Sequence, residues 1–204
     1  MEYKVIETSI LGTNTYIIFN RKLQECIVVD PGGKADAIDK IIRQNECKLK
    51  YILLTHCHFD HSNGCRDLKA LTDCKIYMSA AEKDFITTFK NLAITVGKHY
   101  KKFQPDVLLS GGEKLELCGF DIEVIATPGH TIGSLTYLFD SENIMFVGDT
   151  LFKNSYGRVD LPTGNINSMR ASMRLLFGFN KNYLLLTGHG ESTMLFDEKA
   201  NNGF

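Results

Sequence analysis

The stretch Thr55-His56-Cys57-His58-Phe59-Asp60-His61 decides the fold and the chemistry that we predict for this chain. It follows the apolar run Tyr51–Leu54, which is typical of a buried strand. The first two histidines alternate, so an extended backbone points both imidazoles the same way. The aspartate and the third histidine continue the cluster into a turn. Because so many ligand-type side chains cannot all reach one tetrahedral ion, the stretch predicts two metal ions that share a carboxylate.

Three further apolar runs end in residues that can bind a metal ion. The run Phe120–Ala126 leads to His130, Ile144–Val147 leads to Asp149, and Tyr183–Leu186 leads to His189. Strand ends in layered α/β folds gather at one rim, where loops build a site on a rigid scaffold. Imidazole and carboxylate suit Zn²⁺, and they also suit iron and manganese. We therefore predict two divalent ions, zinc first, held by His56, His58, Asp60, His61, His130, Asp149 and His189.

Three other residues could bind a metal but are interpreted differently. Strand alternation turns Cys57 toward the interior, which favours a buried thiol. Asp30, in Val-Val-Asp-Pro-Gly-Gly, is expected to form the turn or to orient a ligand from behind. His99 lies beside Lys98 and is expected to be exposed.

Composition excludes several function classes. The 204 residues fit one domain, and 23 basic against 24 acidic residues leave a net charge of −1, so we expect no nucleic-acid partner. Apolar runs stay well short of the ~20 residues that cross a bilayer, so no membrane partner is expected. The first residues do not resemble a signal peptide. None of the six cysteines stands in a C-x-x-C pair, which predicts free thiols in a reducing cytoplasm.

Apolar periodicity predicts two sheets packed face to face with helices outside, a layered α/β architecture. The predicted strands are Lys4–Ile10, Thr15–Phe19, Cys26–Val29, Tyr51–Leu54, Lys75–Met78, Lys114–Leu117, Phe120–Ala126, Ser134–Phe139, Ile144–Val147 and Tyr183–Leu186. One helix opens at Asp36 and another at Asn167 or Ser168. A capping-box pattern, Ser79-Ala80-Ala81-Glu82, predicts a further helix. Its core-facing stripe would be Phe85, Phe89, Leu92 and Val96.

Five motifs in order resemble the metallo-β-lactamase superfamily. They are Val28–Gly33, Thr55–His61, Pro128–Thr131, Gly148–Phe152 and Gly188–Gly190. The resemblance covers nearly the whole chain. It implies that residues 1–204 form a single domain, a four-layer αββα sandwich with its metal site at one edge of the two sheets.

The same resemblance divides the predicted ligands between two ions. The first metal would be held by His56, His58 and His130, the second by Asp60, His61 and His189, with Asp149 as the bridging carboxylate. True β-lactamases of this fold commonly carry a cysteine at the Asp149 position. A hydrolase of another kind is therefore predicted.

Within the superfamily, Gly148–Phe152 followed by Ser155–Asp160 resembles the glyoxalase II branch, whose members hydrolyse the thioester S-lactoylglutathione. The branch implies attack by a metal-bridging hydroxide, oriented by Asp60 and Asp149 as catalytic residues. Arg158 would hold a carboxylate of glutathione, or it forms a structural salt bridge. Two features depart from the longer enzymes, since Asp160 stands where a tyrosine is frequent and no C-terminal helical domain follows His189. The resemblance is therefore to the short, single-domain subgroup of hydroxyacylglutathione hydrolases.

Two alternatives stay open at this point. A persulfide dioxygenase of the same fold would bind one iron through His56, His130 and Asp149. A non-catalytic metal-binding module would keep its partner affinity without Asp149. Metal content separates the first alternative from the hydrolase, because one iron per chain replaces two zinc ions.

Overall fold

Two six-stranded sheets lie at the centre of the protein, and a computed structural model describes it over residues 1–202. The strands of the first sheet lie side by side in chain order: β1 (Glu2–Glu7), β2 (Asn14–Asn20), β3 (Glu25–Val29), β4 (Lys48–Leu53), β5 (Lys75–Ser79) and β6 (Val107–Leu109). The second sheet consists, in spatial order, of β7 (Lys114–Leu117), β8 (Phe120–Ala126), β9 (Leu135–Phe139), β10 (Ile144–Gly148), β13 (Leu184–Thr187) and β14 (Thr193–Met194). Strands β11 (Leu151–Phe152) and β12 (Ser155–Tyr156) form a separate hairpin.

Five α-helices accompany the sheets in the described residues. They are α1 (Ala35–Gln44), α2 (Phe59–Ser62), α3 (Cys65–Thr72), α4 (Ile166–Phe177) and α5 (Leu195–Asn201). The Asn165 side chain caps α4 by accepting a 2.9 Å hydrogen bond from the Ser168 amide. The helix predicted to open at Asp36 begins one residue earlier, with Asp36 in its first turn.

Three apolar clusters fill the interfaces between four layers. Strand β2 illustrates the arrangement, because Ile17 and Phe19 face the helices α1 and α3 whereas Tyr16 and Ile18 face the second sheet. On the far side of the second sheet, Met169 and Met173 of α4 pack on its strands. The order helix, sheet, sheet, helix confirms the predicted αββα sandwich.

The helix predicted after Ser79 is wrong. Three short 3-10 segments, Ala80–Ile86, Phe89–Asn91 and Ile94–Val96, take its place. The Asn91 amide donates to the carbonyls of Phe85 and Thr88, each at 2.7 Å, and such local bonds compete with an α-helical ladder. Phe85 is buried, but Phe89 and Val96 are 61% and 42% exposed, so the apolar series does not form one core-facing stripe.

All ten predicted strands are present, with bounds that differ by a few residues. Short strands at the sheet edge and in the hairpin were missed, because three or fewer residues carry too little alternation. Strands β4, β8, β10 and β13 all end toward one edge, where the predicted ligands follow them. Within residues 1–202, no helix is both long and apolar enough to cross a membrane.

Candidate metal centre

The first group of donors consists of His56, His58 and His130. Strand β4 delivers the first two, and the loop after β8 delivers the third. One nitrogen of each imidazole lies within 4.8 Å of the others, and Nδ1 of His58 is 3.0 Å from Nε2 of His130. All three side chains are buried. We call these residues the first trio.

The second trio consists of Asp60, His61 and His189. The single turn of α2 carries the first two, and His189 follows β13. Nε2 of His61 lies 3.3 Å from Nε2 of His189, and Oδ2 of Asp60 lies 3.3 Å from the same His189 nitrogen. Ligands about 2.0–2.2 Å from one tetrahedral ion are separated by about 3.3–3.6 Å, so these spacings fit a shared cation.

Asp149, at the end of β10, joins the two trios. Its Oδ1 lies 3.4 Å from Nε2 of His61, and its Oδ2 lies 3.5 Å from Nε2 of His130 and 3.6 Å from Nε2 of His189. The carboxylate therefore faces both groups of donors at once. This is the position that a bridging ligand requires.

Hydrogen bonds on the far side of four imidazoles fix their orientation. Nδ1 of His61 bonds Asp30 Oδ2 at 2.9 Å, Nδ1 of His130 bonds the Arg158 carbonyl at 2.8 Å, Nδ1 of His189 bonds the Leu11 carbonyl at 3.1 Å, and Nδ1 of His56 bonds Thr55 Oγ1 at 3.1 Å. These partners assign the proton to Nδ1 and leave Nε2 free to bind a metal. The arrangement matches the support that metal-ligating histidines normally have.

Asp30 is placed as predicted, behind the ligands rather than among them. Oδ1 accepts from the Thr55 amide at 2.8 Å, and Oδ2 accepts from the Thr55 hydroxyl at 2.6 Å as well as facing His61. Its oxygens are therefore committed to hydrogen bonds. Cys57 is a buried free thiol, which confirms that prediction as well.

The two trios differ in charge. Burial, together with the neighbouring imidazoles, lowers the pKa of His56 and His58 well below the ordinary value. Burial also opposes charge on His61, but the nearby carboxylates of Asp60 and Asp149 outweigh it and raise the pKa of His61 to about 10. His56 and His58 of the first trio are thus neutral, whereas the second trio combines a carboxylate with imidazoles.

Buried polar atoms without a hydrogen-bond partner show whether the site fits a cation. Nε2 of His56 and Oδ1 of Asp149 are buried and have no hydrogen-bond partner within the described residues. Orphaned buried polar atoms are costly in a protein interior, and a metal ion would satisfy both. The nitrogen and carboxylate donors are those that zinc, iron and manganese accept. The residues present therefore fit a divalent metal centre.

Gly188 leaves the room that the ligands need. A Cβ atom at this position would lie 2.1 Å from Oδ1 of Asp149 and 2.8 Å from Cε1 of His61. Any larger residue would push the shared carboxylate or the second trio out of place. The glycine before His189 is therefore a steric requirement of the site.

A sequence profile of the metallo-beta-lactamase superfamily matches residues 9–189, a span that contains all seven donors. The chain belongs to this superfamily.

Relatives cover the metallo-beta-lactamase-fold chain almost end to end. Hydroxyacylglutathione hydrolase GloC of Haemophilus influenzae is 30% identical over all of this chain and 98% of its own length. The crystal structure of the BLEG-1 B3 metallo-beta-lactamase superposes with a TM-score of 0.93 at 28% identity, covering 100% of this chain and 99% of that one. TTHA1623, crystallised in a di-iron-bound form, gives 0.87 at 26% identity, covering 97% and 98%.

Sequence reasoning missed several residues that support the metallo-beta-lactamase site. Thr13 donates to Oδ2 of Asp60 at 2.9 Å, and Glu82 accepts from the Cys57 amide at 2.5 Å. Glu82 was interpreted as a capping residue, but it lies buried beneath the loop that carries the first trio. Thr13 carried no signal at all. For Glu82, the capping-box pattern beginning at Ser79 marked the residue but assigned it a different role.

Arg158 forms the salt bridge that was one of its two predicted roles. Its Nε and Nη2 donate to the Asp160 carboxylate at 2.7 and 2.6 Å, and its side chain stays 62% exposed. Both residues stand beside His130, because the Arg158 carbonyl holds that ring. Binding of a substrate carboxylate by Arg158 stays a prediction. His99 is likewise exposed, as expected.

A cavity of about 590 Å³ opens onto the donors His58, Asp60, His130, Asp149 and His189. Its apolar lining residues are Leu11, Phe59, Leu92, Val96, Phe152 and Leu161. Arg158, Thr95, Ser155 and Tyr156 line the rest. The cavity thus gives a small molecule access to both trios.

Proposed function

We propose that the protein hydrolyses thioesters at a two-metal centre. Zinc is the expected metal at both positions, and iron and manganese are the alternatives. The observation that carries this proposal is the position of Asp149, whose carboxylate lies within 3.6 Å of imidazole nitrogens from both trios. A one-iron dioxygenase would use His56, His130 and Asp149, and would leave the second trio without a metal to bind. The relative in Haemophilus influenzae, named as a hydroxyacylglutathione hydrolase, supports thioester hydrolysis as the reaction class.

The two ions would be held as the trios predict. His56, His58 and His130 would hold one ion, Asp60, His61 and His189 the other, and Asp149 both. Such ions, when bound, supply an acidified water as nucleophile and a Lewis acid for the substrate carbonyl.

Asp60 is suited to orient the attacking water. The charges of His61 and His189 and the Thr13 hydrogen bond overcome the effect of burial and lower the pKa of its carboxyl well below the usual range. The group is therefore ionised at neutral pH and accepts hydrogen bonds. Asp149, which also lines the cavity, provides a second acceptor, so the water's lone pair can point to the carbonyl carbon.

A thioester suits a site without a dedicated acid. The leaving thiolate has a conjugate acid of pKa about 8.5, so it departs without prior protonation. Asp60 and Asp149 are the carboxyl groups at the cavity in the described chain, and both face the donors. S-lactoylglutathione is the reference substrate that the resemblance implies. All six cysteines are buried and unpaired, which supports a reducing, cytoplasmic location.

The test combines elemental analysis of protein from unsupplemented cells with a thioester cleavage assay. We expect about two metal ions per chain and thiol release. A fully loaded protein that cleaves no thioester, including S-lactoylglutathione, contradicts the proposal. One iron per chain with oxygen uptake on glutathione persulfide would assign the dioxygenase instead. A β-lactam substrate belongs in the same assay, given the similarity to BLEG-1.

A further inference from the structure

The cavity over the metal centre is mostly apolar at both ends. Leu92 and Val96 come from the 3-10 segments, and Phe85 of the same region stacks on His58 with ring centroids 6.3 Å apart. At the other end, Phe152 lies 6.2 Å from the His189 ring, and Leu11 accepts the hydrogen bond of that ring. Val96 and Leu11 are 42% and 51% exposed, so apolar surface is available to a ligand.

Positive charge at the cavity is neutralised. Among the described lining residues, Arg158 is the one lysine or arginine, and its Nε and Nη2 donate to the Asp160 carboxylate, which offsets its charge. Lys153, next to Phe152, is paired with Glu191. A glutathione carrier presents two carboxylates, which would meet a guanidinium already paired with a carboxylate. The lining therefore gives little net attraction to these two carboxylates.

From these two features we infer that the substrates of this site are thioesters with an apolar acyl group, and that a glutathione carrier is not required. The inference rests on the proposed thioester hydrolysis and specifies its substrate class. The acyl chain would contact the apolar side chains while its carbonyl lies at the donors. The attacking water gives one proton to solvent as its oxygen bonds to the carbonyl carbon. The C–S bond then breaks, the thiolate keeps the electron pair, and the new acid gives its remaining proton to solvent.

Chain length provides the first test. The substrates are N-acetylcysteamine thioesters from acetyl to octanoyl, assayed with the metal-loaded, full-length protein by thiol release. Burial of each methylene is expected to raise kcat/KM about two- to fourfold until the cavity is filled. A flat or falling series would overturn the inference.

Two variants locate the apolar contacts. Val96→Ser and Phe152→Ser change opposite ends of the cavity, and at least one is expected to flatten the chain-length series. Leu175→Ser is the matched control, because Leu175 is 50% exposed on α4 and does not line the cavity. A full slope in both cavity variants would overturn the assignment of these contacts.

The carrier provides an independent test. The same acyl group is presented on glutathione and on N-acetylcysteamine, and the wild-type protein is expected to show no preference for glutathione beyond about threefold. Asp160→Asn frees Arg158, so it is expected to raise kcat/KM about threefold for the glutathione thioester alone. A preference for glutathione above tenfold in the wild-type protein would contradict the inference.

The two levels of proposal fail differently. If no thioester is cleaved by protein with full metal content, the proposed function is lost. If S-lactoylglutathione is cleaved much better than any apolar thioester, the function stands and the substrate class is wrong.

Discussion

The two trios of the proposed metal centre are built from similar residues, but the pKa shifts among their histidines have opposite directions. In the first trio, burial and mutual proximity keep His56 and His58 neutral, with pKa values below the ordinary one. In the second, carboxylates raise the pKa of His61 to about 10, and hydrogen bonding to Asp60 raises that of His189 despite its burial. His56 and His58 can therefore accept a cation without losing a proton, whereas His61 of the second trio must first lose one.

This difference would allow the proposed site to hold two like-charged ions. Five imidazoles alone would give no negative charge to offset them. Asp60 and Asp149 lie on the side of the second trio or between the trios, where the added charge has its greatest effect. We therefore expect stepwise loading, with the first trio occupied at lower pH than the second.

Removal of the shared carboxylate of Asp149 is expected to weaken metal binding at both trios and to have the largest effect on activity. Asp149→Ala leaves both trios without their common ligand, and should lower kcat/KM about a thousandfold, more than loss of an outer partner would cost. Zinc per chain should fall from two to one or fewer. Elemental analysis and thiol release measure both effects.

The matched control is Asp197→Ala, an exposed acid on α5 away from the donors. It should keep the full metal content and rate. Retention of two ions by the Asp149→Ala protein would contradict the bridging role.

A pH titration separates the trios without mutation. Between pH 6 and pH 8, zinc affinity of the second step should rise about tenfold per pH unit, because His61 gives up one proton on binding. The affinity of the first step should change less, since His56 and His58 are already neutral. Titration against a competing chelator, with proton release followed in parallel, measures the slopes. Two equal slopes would mean that the trios do not differ in charge.

Loss of a residue that hydrogen-bonds a metal ligand from behind should lower the metal affinity of one trio selectively. Asp30→Asn weakens the support of Nδ1 of His61, so zinc affinity at the second step should fall about tenfold. The first step should be unchanged. Thr13→Val, which removes one hydrogen bond to Asp60, is the milder counterpart. Equal losses at both steps would show that Asp30 supports the whole centre through Thr55.

The sequence predicted the strands and their metal-binding ends because both depend on local patterns. The apolar run of β2 and the apolar runs before His56, Asp149 and His189 are visible without tertiary contacts. All seven predicted donors meet at one edge of the sandwich, as their positions at strand ends suggested.

Residues that act across long sequence separations could not be predicted. Thr13 meets Asp60 from 47 residues away, and the carbonyl of Leu11 meets His189 from 178 residues away. The failed helix after Ser79 has the opposite cause, because local bonds from Asn91 defeated a regular apolar spacing. In both cases, hydrogen bonds that leave no periodic signature decided the outcome.

Glu82 makes the fold itself sensitive to alkali. Burial raises the pKa of its carboxyl to about 7 from 4.5, so the native state binds this proton more tightly than the unfolded chain. The stability that this provides is present below pH 4.5 and is lost as pH rises through 7, by about 3 kcal/mol. Raised protonation of His61 is lost in the same direction, toward pH 10.

The metal-free protein should therefore unfold more readily at pH 8.5 than at pH 6, and Glu82→Gln should remove part of that difference in urea unfolding. Metal binding strengthens over the same range, because it competes with protons. Metal ions and protons can thus each neutralise the buried carboxylates. Removal of the metal by a chelator is therefore expected to lower the stability most at high pH.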